Sequence, residues 1–165
     1  MQQTNPPTDG MSIDARQPPH EATRLAAFHG DWTVEGLLTS EGSAAPLSGR
    51  WSFAQTADGW GVRATMQTEI EGWGAIEECV LIGLDAAAGL IHHFSMNKYT
   101  IQDHIGGWRG DNTLVVSYVG MQEGKEIAEE ITIDFAAPDR INAHIIEQAD
   151  GEVIITTDLT LTRGA

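Results

Sequence analysis

His92, Asp103 and Glu129, with Glu78 and His144 beside them, are the side chains of this sequence whose types can act together. A histidine among carboxylates serves proton transfer, metal ligation or the anchoring of a ligand's polar end. In apolar surroundings those carboxylates need partners, because an unpaired buried charge is costly enough to titrate until it is neutral. The same residues read equally as structural pairs that satisfy one another. His92 and His93 are adjacent, and neighbours on a strand point to opposite faces, so the two do not bind one metal together. Motif chemistry is missing: there is no G-x-S-x-G elbow, no glycine-rich phosphate loop before a long helix, no H-E-x-x-H and no C-x-x-C. Metal and cofactor are therefore unassigned, and catalysis is the secondary expectation.

The elements that must position these residues are strands. Candidates lie at 31–39, 46–56, 61–70, 74–84, 90–96, 99–106, 113–119, 126–135, 140–147 and 153–163, most of them joined by short turn signals. Regular strands with hairpin-length links make an antiparallel meander, and closing it removes the exposed edges. No helix long enough for a parallel crossover lies between them. Leu25, Ala26 and Phe28 form a short apolar helical face that Gly30 ends. The expected fold is all-β, an antiparallel up-and-down barrel of about ten strands with a short N-terminal helix. Residues 1–20 hold four of the six prolines and read as a tail, leaving 21–165 as one barrel domain.

Turn chemistry predicts which side chains face inward. Asp58-Gly59 pairs Phe53 with Ala64, Trp51 with Met66 and Leu47 with Ile70. A five-residue loop over Asp85–Gly89 pairs Ile82 with His92, Val80 with Phe94 and Glu78 with Met96; an Asn97-Lys98 turn then sets His92 against Asp103 and Phe94 beside Ile101. A two-residue turn at Glu71-Gly72 instead sends Glu77, Cys79 and Leu81 inward, and either a bulge or a three-residue loop there reconciles the two readings. Glu129 is the one acid in an inward row with Ile127, Ile131, Ile133 and Phe135. His144 is inward with a two-residue Asp150-Gly151 turn and outward with a longer loop. The candidate ligand-binding set is thus Trp51, Phe53, Met66, Phe94, His92, Asp103 and Glu129. Ser40–Ala45 is expected as a rim loop, Trp108-Arg109 as an exposed hairpin tip and Cys79 as a small buried hydrophobe.

Composition narrows the partners. Nine basic against 24 acidic residues give a formal charge of -15, which repels phosphate backbones and anionic lipid heads. Nucleic acid and membrane surfaces are not expected partners. One cysteine makes no internal disulfide, and with no apolar stretch of a signal peptide in the first twenty residues the expected location is cytoplasmic.

Leu25-x-x-Phe28-x-Gly30-x-Trp32, Ile82-Gly83-Leu84-Asp85, Gly107-x-x-Gly110-Asp111 and the closing Leu161-Thr162-Arg163 together carry a resemblance. Over roughly residues 24–163 the chain resembles the calycin superfamily of lipocalins and fatty-acid-binding proteins. More closely, it is similar to a group of uncharacterised bacterial proteins with a ten-stranded calycin-like barrel. The resemblance implies a cup-shaped interior and an Arg163 lying over the Trp32 ring to join last strand to first. It implies no catalytic residue, since that family has no agreed activity. The related nitrobindins bind haem through a histidine, but no local motif here marks His92, His104 or His144 as that ligand.

The expectation is a non-catalytic binding protein that holds a small apolar or amphipathic molecule, neutral or cationic because the candidate anchors are acidic. The alternative is an enzyme or haem/metal protein using interior histidines and carboxylates. A third reading is a homodimer formed through the barrel wall, with Leu37, Leu81 and Ile91 projecting outward.

Overall fold

Strands alternating apolar and polar residues can bury one face only, and a meander of them does so most completely by curling onto itself. In a computed structural model, which describes residues 17–164, this is what the chain does. A short helix α1 (His20–Thr23) and a 3-10 turn (Arg24–Phe28) lead into ten strands. These are β1 (Gly30–Ser40), β2 (Ser43–Thr56), β3 (Gly61–Ile70), β4 (Gly74–Asp85), β5 (Leu90–Asn97), β6 (Ile101–Arg109), β7 (Thr113–Gln122), β8 (Lys125–Ala137), β9 (Arg140–Ala149) and β10 (Glu152–Arg163). Each pairs antiparallel with its neighbour in sequence, and β1 pairs with β10 to close the barrel. Of the expected tail, residues 1–16 lie outside the described residues.

Closure rests on the expected pair. Trp32 lies opposite Arg163 in the β1–β10 ladder, and the guanidinium sits 4.5 Å from the indole centroid. The same arginine donates to the Ala27 carbonyl at 3.0 Å, and Trp32 Nε1–H donates to the Phe28 carbonyl at 2.7 Å. The helical lead-in is thereby drawn across the base of the barrel. Phe28 stacks on Phe53 at 5.0 Å and meets Phe135 edge-on at 4.8 Å. Trp108, expected at an exposed tip, is instead half-buried in this plug, with Arg24 3.8 Å from its ring and its Nε1–H donating to the Glu21 carbonyl. Contact with the lead-in covers what the hairpin alone would expose.

The β2–β3 register is as expected, with Phe53 on Ala64, Trp51 on Met66 and Leu47 on Ile70. The Ser40–Ala45 segment is not a loop: Glu41 and Gly42, at φ 50° and 78°, make a two-residue turn and the strands run up to it. Positive φ at both central residues suits the right-handed twist of a hairpin. Between β3 and β4 the loop has three residues, Ile70 opposing Gly74, which turns Glu78, Val80 and Ile82 inward and leaves Cys79 exposed.

From β4 onward one-residue differences decide the facing. Asp85 opposes Leu90, so the loop is one residue shorter than expected. Its cause is local: the Asp85 carboxylate accepts from the Ala87 and Ala88 N–H groups, and the Asp85 carbonyl accepts from Gly89. Asn97 does the same at the next turn, its side-chain oxygen accepting from Tyr99 and Thr100, so that Met96 opposes Ile101. Such side-chain-capped turns compete with extension of the ladder. Shifting the register by one residue exchanges the two faces of a strand. On β5 it sends His93 and Ser95 inward and His92, Phe94 and Met96 outward.

One seam is incomplete. The β6–β7 ladder runs only from Arg109–Thr113 to Ile105–Ser117, although β5–β6 continues to Met96–Ile101 and β7–β8 to Gln122–Lys125. The halves of β6 and β7 nearest the rim are not paired with each other.

Candidate functional site

The barrel encloses a cavity of about 540 Å³, floored by Phe28 and opening at a rim of Trp73, Asn97, Tyr99 and Gln122. That size lies within the range of small-molecule sites. Two kinds of wall face each other across it. One is apolar: Trp51 and Phe53 from β2, Met66 from β3, and Ile131, Ile145 and Leu159 from β8, β9 and β10. Even the Trp51 N–H is satisfied, donating to Thr68 Oγ1 at 3.0 Å. The other is a polar stripe of Glu78 (β4), His93 and Ser95 (β5), Glu129 (β8) and Glu147 (β9), with His104 (β6) buried behind it.

The centre of the stripe is a close pair. His104 is 1% exposed, and with the proton on Nε2 it donates to Glu129 Oε1 at 2.6 Å. Its ring meets His93 edge-on, centroids 5.5 Å apart, and lies 5.6 Å from the Tyr118 ring. The Nδ1 atoms of His93 and His104 are both buried without a hydrogen-bond partner. Burial, reinforced by the neighbouring His104, pushes His93 down to about 4, so the ring is neutral at physiological pH. Burial raises the Glu78 carboxyl, opposed by a hydrogen bond from Ser95. Glu147 is also raised, first by burial and then by the Glu129 charge. No lysine or arginine lines the cavity among the described residues.

Of the seven candidate binding residues, Trp51, Phe53, Met66 and Glu129 lie on the cavity wall. His92, Asp103 and Phe94 do not. His92 and Asp103 do meet, Nδ1 lying 3.0 Å from a carboxylate oxygen, but on the outer face. Phe94 is 41% exposed there. Their expected inward facing is corrected by the loop between Asp85 and Leu90, one residue shorter than expected, whereas the Asn97 turn, two residues longer than expected, leaves the facing unchanged. His144 is also outside, 2.7 Å from Asp158. Its Asp150-Gly151 turn does have two residues, which alone would bring it inward. A bulge between Val153 and Ile155 shifts the register and reverses it. Ile91, expected outside, is buried, whereas Leu37 and Leu81 do project outward.

Sequence reasoning missed His93, His104 and Glu147. On β5 the hydrophobic pattern itself points the wrong way, since Phe94 and Met96 face solvent while His93 and Ser95 line the interior. The inversion continues on the flanking strands, with Leu81 and Ile105 outside against Glu78 and His104 inside. A polar interior behind an apolar exterior is a departure from simple patterning, of the kind a functional site produces. Among the described residues no group of three or more histidine, cysteine or acidic side chains is arranged to hold a metal ion.

No protein-family profile and no curated protein matches the sequence. Solved structures do. Rv2717c from M. tuberculosis superposes with a TM-score of 0.67 at 13% identity, covering 90% of this chain and 100% of its own. The S-type phycobiliprotein lyase CPES from Guillardia theta gives 0.64 at 13% identity, over 90% and 99% of the two chains. The fold is a ten-stranded calycin-like β-barrel. A third structure, EF1p2_mFAP2b bound to DFHBI, gives 0.50 at 14% identity over 87% and 99%. Similarity at these identities concerns the backbone. The polar stripe of this calycin-like barrel must be argued from its own side chains.

Proposed function

We propose that the barrel is a binding protein that holds one small amphipathic molecule in its interior without transforming it. The observation that carries this is the two-sided cavity, an apolar wall facing a stripe of hydrogen-bonding groups, open at one end. The complex of EF1p2_mFAP2b with DFHBI supports it, as a small molecule held by a protein of similar backbone. Burial of the ligand's apolar body contributes about 25 cal/mol per Å², before the costs of ordering. Trp51, Phe53 and Met66 supply that surface, and Glu129 with His93 orients the polar end. His92, Asp103 and Phe94 have no part in it.

Titration with Nile red, a neutral apolar dye, tests the reading. Fluorescence enhancement is expected for the native chain. It should weaken at least tenfold in Ile145→Trp, which fills the cavity with an indole. No enhancement at any concentration below aggregation would end the proposal.

A second reading rests on the His104–Glu129 contact, since a histidine hydrogen-bonded to a carboxylate is a proton-transfer pair. Here the histidine is sealed behind the wall and only its neighbours reach the cavity, which favours an anchoring role. An absorbance scan and elemental analysis of the purified protein check the haem and metal variants of this reading.

A further inference from the structure

The polar stripe is acidic, and that says what the ligand's polar end is. Glu78, Glu129 and Glu147 converge on one cavity from β4, β8 and β9, with no cationic side chain of the wall to balance them among the described residues. The titratable neighbours on the intervening strands are His93 on β5, His104 on β6 and Tyr118 on β7; the last two pack against each other. Only one carboxylate, that of Glu129, has a side-chain partner among the histidines. An independent feature points the same way. His93 lines the cavity at 7% exposure, and its Nδ1 has no partner in the protein, an arrangement that buried polar atoms avoid unless something else satisfies them.

A carboxylate ligand would meet three acidic side chains. A purely apolar one would leave the stripe desolvated and unsatisfied. Resting on the interior-ligand reading, we propose that the ligand is an organic cation with N–H donors, a protonated amine or amidine on an apolar body. The cation donates its N–H groups to the Glu147, Glu78 and Glu129 oxygens and to His93. Wherever a carboxyl of the stripe is still protonated, the entering cation displaces that proton to solvent. Burial holds Glu78 and Glu147 above the usual carboxylate range, which extends this exchange to higher pH than for free carboxyls.

The sign of the pH dependence follows. At low pH the cation competes with protons for the carboxyls. Its affinity therefore rises with pH through the raised carboxyl values, then levels off. A neutral ligand of the same length shows no such rise.

The test uses the full chain with Nile red in the cavity, displaced by dodecylamine, dodecanol or dodecanoate below their micelle-forming concentrations. At pH 7 dodecylamine is expected to displace the dye at least tenfold more effectively than either analogue, and several-fold better than it does itself at pH 5. Calorimetry at pH 5 in buffers of different ionisation enthalpy should show proton release on amine binding. Glu147→Gln and Glu78→Gln should each reduce the preference for amine over alcohol. Asp103→Asn, on the outer wall, should keep it. Dodecanol matching dodecylamine, or amine binding without proton release, overturns the cation and leaves the interior-ligand reading standing. Failure of Nile red to bind overturns both. The comparison of the three dodecyl compounds needs only the native chain, so an unfolded variant does not blunt it.

Discussion

Asp103 and His104 are consecutive on β6, and each belongs to a histidine–carboxylate pair, yet the pairs occupy different worlds. Asp103 meets His92 on the outer wall, where the side chains are 43% and 37% exposed; His104 meets Glu129 inside, at 1% and 15%. Water screens the first pair and gives each member an alternative partner. Inside, His104 has none, and Glu129 has only what the cavity holds. A histidine–carboxylate contact therefore says little about energy or function until its side of the sheet is known.

Removing one partner from each pair should separate them most. Glu129→Leu is expected to destabilise the fold by about 3 kcal/mol, because it leaves His104 buried without its acceptor. Asp103→Leu should stay within about 1 kcal/mol. Urea unfolding of both variants checks this, and equal losses would break the contrast.

The next effect is one of pH. His93 titrates near 4 when folded against an ordinary 6.5, so its contribution to stability is complete above 6.5 and is lost as pH falls toward 4. That window is worth about 3 kcal/mol at most. Unfolding of the native chain and of His93→Asn at pH 7.5 and 4.5 should show the two converging as the pH is lowered.

Glu147 carries the opposite sign. Its folded value is raised, so the native chain loses stability as pH rises from the ordinary 4.5 through that value. Glu147→Gln should have a higher Tm than the native chain at pH 8 and an equal one below 4.5. Smallest of all is the second outer pair: His144→Ala, which loses an exposed contact to Asp158, is expected to change stability by less than about 1 kcal/mol.

How much of this was legible follows from what each inference needed. The β2–β3 register could be read because Asp58-Gly59 marks the turn and Trp51, Phe53 and Met66 confirm one face. Glu129 could be placed because isoleucines flank it in an unambiguous row. On β5 both cues failed together: Asp85 shortened its loop through side-chain hydrogen bonds, and the more apolar face of the strand is the outer one. Glu147 shares a strand with His144 and was hidden by the same bulge.

The sequence by itself determined a meander of ten strands after a short helical lead-in, and its resemblance to the calycins implied the Trp32–Arg163 contact that joins the ends. The strands and the lead-in depend on periodicity and turn residues, which average over many positions. Only the tertiary structure decided which of two adjacent histidines faces the cavity, and so which carboxylates surround it. The reason is that strand facing has a period of two, so one residue of loop or bulge reverses every side chain beyond it. The choice between the two registers is made by packing around the whole barrel.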